Sequence, residues 1–148
     1  MFIASALMCL SLNIYFEAAG EPYAGRMAVA RVTMNRAVTT ANVCDTVMAK
    51  GQFSWTSKMV AGRSADGGIV LRGTGQQIDQ SALADSYEVA VKAIKDHSFN
   101  RSDISMGATY YHAKGVSPYW SKHAEVTAVI GSHIFYKLKG KSVMTYKA

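Results

Sequence analysis

Glu17 and Glu21 are the only acidic residues in the first 44 positions of this 148-residue chain. They stand four apart at the end of an apolar run, in "IYFEAAGEPYAGR", with Gly20 between them and Pro22 directly after. Two carboxylates so placed admit three readings. A pair flanking a glycosidic bond cleaves it, one as acid and the other as base or nucleophile. A single carboxyl among apolar neighbours keeps its proton to higher pH and serves first as general acid, then as base. Or neither does chemistry: one is an exposed helix-end Glu, the other stabilises the free N–H groups of a helix start.

The elements that carry the two acids separate them. Ile3, Leu7, Leu10 and Ile14 recur at helical spacing and predict a first helix over 3–18. Gly20 is expected to close it in the left-handed conformation, and Pro22 to open a second helix over 22–38, with Tyr23, Met27, Ala30 and Met34 on one face. Glu17 then lies at a helix C-terminus, after Tyr15 and Phe16, where the dipole and the apolar neighbours both disfavour its charge. Glu21 lies at a helix N-terminus, which favours its charge. Because Gly20 and Pro22 interrupt the helix, the four-residue spacing does not decide whether the two side chains face each other.

Two further clusters suit a polymer of sugars. "GQFSW" supplies Gln52, Phe53, Ser54 and Trp55, and "YYHAKGVSPYW" supplies Tyr110, Tyr111, His112, Tyr119 and Trp120. Amides and aromatic rings together bind and stack on sugar rings, although the same residue types also serve strand and core packing. His112, His123 and His133 match no metal-ligand spacing, and no P-loop, dinucleotide fingerprint or GxSxG is present. No metal and no cofactor is expected.

The remaining chain predicts a short helix over 42–49 and a Gly/Ser-rich irregular lobe over 51–77, with a hairpin around Ile69-Val70-Leu71. A helix over 80–97 follows, with Leu83, Tyr87, Ala90, Val91 and Ile94 on one side. The β-branched and aromatic segments 108–113 and 125–137 read as strands, turning at Gly131-Ser132. The fold class expected is α+β: a mainly helical body with a small antiparallel sheet from the C-terminal third, in a single domain over 1–148.

With 18% charged residues, 49% hydrophobic ones and 2 Pro, the chain is not a disordered tail. The net charge of +6 favours contact with an anionic wall or outer membrane. The basic residues are scattered, apart from Lys137, Lys139, Lys141 and Lys147, and do not interleave with aromatics, which argues against a nucleic-acid partner. The apolar start carries no Lys or Arg before Arg26 and reads as a core helix, not a signal peptide. Two cysteines allow one disulfide; Cys9, in an apolar run, reads as a small buried hydrophobe. A monomer is expected.

Three blocks, in order, carry a resemblance over nearly the whole chain: "CLSLNIYFEAAGEPYAGRMAVARVTMNR", "GQFSW" and "GATYYHAKGVSPYW…IGSHIFYK". The chain resembles the SleB/CwlJ-type cell wall hydrolase family. That resemblance implies a lysozyme-like enzyme acting on peptidoglycan, with Glu17 as its essential acid. It makes Glu21 the second, supporting carboxylate, expected to bind substrate, and puts Gln52, Phe53, Ser54 and Trp55 along the cleft. Three positions depart from the family's usual pattern: Ala19 stands where Arg is usual, Tyr110 where many members have His, and Gly51 where some have Cys, leaving Cys44 without that partner.

The mechanism implied is that of a lytic transglycosylase, in which one carboxyl is acid and then base while the sugar's own 6-hydroxyl is the nucleophile. A short, basic, single-domain member resembles a phage endolysin, made in the host cytoplasm and acting on the wall from the periplasm during host cell lysis. The competing readings are a muramidase with water as acceptor, a metal-dependent amidase cutting the sugar–peptide bond, and a non-catalytic module that binds wall or nucleic acid.

Overall fold

The computed structural model describes residues 2–73 and 78–138. Its centre is α1 (Phe2–Ala18), packed on α2 (Tyr23–Ala37) and on α5 (Gln80–Ser98). Cys9, Leu10, Leu12 and Ile14 of α1 are buried, and so are Ser11 and Asn13 on its other sides. Over residues 9–14 the helix is covered on every side, and a helix so covered needs its polar groups satisfied internally. Ser11 therefore donates to the Leu7 carbonyl at 2.6 Å, and Asn13 Nδ2 donates to Thr33 Oγ1 of α2 at 3.2 Å. No helix among the described residues is long and apolar enough to cross a membrane.

A 3-10 turn (Thr40–Asn42) leads into α3 (Val43–Met48), and α4 (Ser54–Met59) runs into the hairpin β1 (Val60–Arg63) and β2 (Ile69–Leu71). The hairpin lies where the Ile69-Val70-Leu71 triplet placed it. α4 arises inside the stretch expected to be irregular, because "SWTSKM" has no Gly or Pro to break one helical turn. Residues 74–77, at the end of that stretch, lie outside the described residues, as do Lys139, Lys141 and Lys147.

α5 begins on Asp79, whose carboxylate accepts from the N–H groups of Ser81 (2.9 Å) and Ala82 (3.2 Å). Its buried face is Ser86, Val89, Ala90 and Ala93, small side chains that let α1 and α2 approach closely. Tyr87, expected on that face, is 40% exposed, and Tyr23 of α2 is likewise exposed.

The last third forms the second sheet, with β3 (Tyr110–Ala113), β4 (Ala124–Ile130) and β5 (His133–Leu138) in the antiparallel order β3-β5-β4. The fold is thus the α+β arrangement expected from the sequence, with its sheet in the C-terminal third. β4 and β5 join through Gly131-Ser132, where Gly131 takes a φ of 57°. In register, Tyr111 faces Phe135 and Ala113 faces His133. Strand alternation gives the sheet two different faces. Tyr111 and Phe135 join the main core, while Tyr110 and Tyr136 form a second cluster with Trp120 and Ala124.

Three sequence expectations need correction. Gly20 is not left-handed: α1 closes with Ala19 N–H donating to the Tyr15 carbonyl at 3.2 Å and Glu21 N–H to the Ala18 carbonyl at 2.9 Å. Pro22 is the residue before α2, and the Glu21 side chain does not cap that helix. Cys9 is not a free hydrophobe and Cys44 does not lack a partner: the two form a disulfide, with Cα atoms 5.3 Å apart, that ties the middle of α1 to α3. The pairing was hidden because the two residues meet only once α1 and α3 pack.

Candidate active site

Glu17 lies half-buried in the last turn of α1, between Phe16 and the edge of β3. Burial is the larger influence on it and raises its pKa above the ordinary carboxylate range. Opposing that in part, the Tyr111 hydroxyl donates to Glu17 Oε1 and favours the ionised form. Tyr111 is itself buried, which together with the neighbouring carboxylate pushes its phenol far upward, so it stays a proton-bearing donor.

Glu21 has a different environment. Its Oε1 accepts from Ser132 N–H at 2.8 Å and lies 3.7 Å from His133 Nδ1. The Ser132 hydrogen bond is the main cause of its lowered pKa, with His133 and Lys114 adding in the same direction. The two acids are therefore not a matched pair facing one bond. One is biased toward its protonated form, the other toward its ionised form.

The "QFSW" residues divide. Phe53 and Trp55 are buried in the core, and Trp55 Nε1 donates to Asn13 Oδ1 at 2.8 Å while Phe16 stacks on its ring at 4.6 Å. Neither offers a free ring face for a sugar; both shape the floor on which α1 ends. Gln52 points inward, and its side-chain oxygen accepts from Arg36 Nη2. Ser54 is exposed at the start of α4.

The third block divides by strand alternation. Tyr111 faces the body, and His112, its neighbour, turns to the opposite face of the sheet. There His112 bonds the Tyr136 hydroxyl at 2.8 Å and stacks on its ring. Trp120 is buried against Tyr110 and Tyr136, whereas Tyr119 is 67% exposed. The structure thus brings Glu17 and Tyr111 together and leaves His112 and Trp120 in a packing cluster. Among the described residues, no three His, Cys, Asp or Glu side chains gather as a metal site would require.

Sequence reasoning missed Asn13 and Arg36, and weighed His133 only as a metal ligand. Arg36 is half-buried between the rings of Phe53 and Tyr110, its guanidinium 5.8 and 5.0 Å from their centroids. His133 packs edge-on to Tyr111, with centroids 5.1 Å apart. All three lie inside the recognised blocks, but nothing in a linear motif says that Asn13 meets Trp55, that Arg36 meets Gln52, or that His133 lies beside Glu21 and Tyr111.

A family model described as Cell Wall Hydrolase matches residues 20–136. The chain belongs to the cell wall hydrolase family. It is an enzyme of that family by a match covering most of its length, and the match begins just past Glu17. Two solved structures resemble it in fold. The catalytic domain of the germination-specific lytic transglycosylase SleB from Bacillus anthracis is 26% identical, with a TM-score of 0.60 over 90% of this chain and 94% of that one. The catalytic domain of the Bacillus cereus SleB protein is 25% identical, with a TM-score of 0.62 over 90% and 91%. No curated protein matches the chain.

Proposed function

We propose that the protein cleaves peptidoglycan at the β-1,4 bond between N-acetylmuramic acid and N-acetylglucosamine, as a lytic transglycosylase with Glu17 as its acid and base. The observation that carries this reading is the unequal pair of acids. Glu17 is desolvated, inclined to hold a proton, and hydrogen-bonded through one oxygen to Tyr111. Glu21 is ionised and occupied by the β4–β5 turn. One carboxyl must then both give and take the proton, and the transglycosylase route asks for no more. The SleB likeness, to a protein described as a lytic transglycosylase, supports the same choice.

In this reading Tyr111 occupies Oε1, and Oε2 of protonated Glu17 delivers its proton to the glycosidic oxygen. The bond from that oxygen to C1 breaks, and positive charge spreads over C1 and the ring oxygen. The 6-hydroxyl of the same sugar attacks C1, and its proton passes to the Glu17 carboxylate. Acid is regenerated, and no water is consumed. As carboxylate charge develops on Glu17, the Tyr111 hydrogen bond strengthens, which lowers the barrier.

Mass spectrometry of digested peptidoglycan tests this. Anhydro-muramic ends are expected, and reducing ends would instead make the protein a muramidase. The net charge of +6 supports attraction to an anionic wall or outer membrane, and the Cys9–Cys44 disulfide supports work in an oxidising compartment outside the cytoplasm. Host cell lysis as a phage endolysin fits both. It is tested by inducing the protein in bacteria with and without a membrane-permeabilising agent: lysis only with the agent is expected.

A further inference from the structure

The Glu21 side chain is only 13% exposed, and its carboxylate is already engaged. Two glycines shape the slot that holds it. A Cβ at Gly25, in the first turn of α2, would stand 3.0 Å from Glu21 Cβ. A Cβ at Gly131 would run into the Glu21 carboxylate and stand 3.4 Å from Pro22 Cδ. A carboxylate seated between two backbones, with Ser132 N–H donating to it, joins the start of α2 to the β4–β5 turn.

The hairpin so held presents its next residues to the Glu17 site. His133 lies with Nδ1 3.7 Å from Glu21 Oε1, and its ring packs edge-on to Tyr111. Phe135 packs on Tyr111 from the same strand at 5.6 Å. His133 Nδ1 is buried and makes no hydrogen bond among the described residues, so Glu21 at 3.7 Å is its polar neighbour. We infer that Glu21 is a positioning residue, not a substrate ligand: it clamps the β4–β5 turn to α2, and through His133 and Phe135 that turn holds Tyr111 on Glu17.

The inference rests on the reading of Glu17 as the acid and is separable from it. The charged and titratable groups facing Glu21 are His133 from β5 and Lys114 from the segment after β3, while Arg26 of α2 bonds its backbone carbonyl. His112, on the other face of the sheet, acts electrostatically on His133, and Arg36 on Tyr111.

The test compares Glu21→Ala, which removes the acceptor for Ser132 N–H, with Glu21→Gln, which keeps one. Gly131→Ala displaces the carboxylate while leaving Glu21 in place. Glu21→Ala and Gly131→Ala are expected to lower kcat on peptidoglycan by on the order of 10- to 100-fold, the cost of a misplaced catalytic contact, with little change in KM. Glu21→Gln recovers most of that loss. In a Tyr111→Phe background, Glu21→Ala adds little, because both changes remove one interaction. Where Glu21→Ala does not fold, Glu21→Asp, too short to reach Ser132, is expected to change kcat in the same direction.

A raised KM at unchanged kcat would make Glu21 a substrate ligand and overturn the inference, as would full multiplicative effects with Tyr111→Phe. Activity surviving in Glu17→Gln would instead sink the underlying assignment of the acid, whatever the Glu21 variants do.

Discussion

The hydroxyl of Tyr111 donates to Oε1 of Glu17 across 94 positions of sequence, joining the second residue of β3 to the last turn of α1. The bond is made in the shelter of Phe135 and His133, and it is the one influence on Glu17 that opposes desolvation. Desolvation keeps the proton on the acid, and the phenol stabilises the anion left behind.

Replacing Tyr111 with Phe removes a donor to the ionised form of Glu17 and keeps the ring. Its pKa then rises further, so the alkaline limb of kcat/KM, where the general acid loses its proton, moves to higher pH. The rate at the optimum falls by on the order of 10- to 100-fold, since the developing carboxylate loses a charge-assisted hydrogen bond. A pH–rate profile on purified peptidoglycan checks both. An alkaline limb that stays put, or moves down, would detach Tyr111 from the acid.

Glu17→Gln abolishes turnover and stabilises the protein, and the gain depends on pH. A carboxyl whose pKa is raised on folding binds more protons in the native state than in the unfolded one. Its cost to stability is absent below the ordinary carboxylate range, grows as pH rises through it, and is complete above the raised folded-state pKa. Gln keeps the acceptor for Tyr111 without the charge. The variant is expected to melt about 2–5 °C above the wild type at pH 7 and at the same temperature as the wild type at acid pH, below both values. Differential scanning calorimetry at the two pH values decides it, and an equal gain at both would show that the carboxyl's charge is not the cause.

How far the sequence revealed all this depended on the range of the interactions. α1, α5 and the β4–β5 turn were legible, because local periodicity and the Gly131-Ser132 signal specify them. The different environments of Glu17 and Glu21 were legible too, since a helix end and a helix start impose opposite fields. The reason offered for Glu21 was nevertheless incomplete: its carboxylate is held chiefly by Ser132, 111 positions away, and not by α2. Tyr111 and His112 looked equivalent in a linear string, and only the sheet's orientation sends one to Glu17 and the other to Tyr136. Trp55 read as a stacking surface because nothing local reveals that Asn13 and Phe16 enclose it.

The Cys9–Cys44 link gives a second stability prediction. It closes a loop of 35 residues, worth about 3–4 kcal/mol by loop-closure entropy. Cys9 is fully buried and Cys44 nearly so, so reduction requires opening of the packing between α1 and α3. Reducing agent, or Cys44→Ser, is expected to lower the melting temperature by about 10 °C. Thermal melts followed by circular dichroism, with thiols counted before and after, check this. A melt unmoved by complete reduction would show that helix packing alone holds α1 in place.

Gln52 tests whether a cleft-lining expectation or a buried ion's needs explain a residue. Its side-chain oxygen accepts from Arg36 Nη2, while Arg36 Nη1 is buried with no hydrogen-bond partner among the described residues. Burial lowers the Arg36 pKa, with the nearby Tyr110 and Tyr111 phenols opposing in part. Truncating Gln52 to Ala leaves a second guanidinium nitrogen unmatched, a loss of about 1.5–3 kcal/mol for a hydrogen bond to a charged group. Gln52→Ala should therefore melt about 5 °C lower while binding peptidoglycan as the wild type does. Gln52→Glu supplies a countercharge to Arg36 and should lose less. A raised KM at unchanged melting temperature would return Gln52 to the substrate. The opposite result would place it under the site, holding Arg36 between Phe53 and Tyr110.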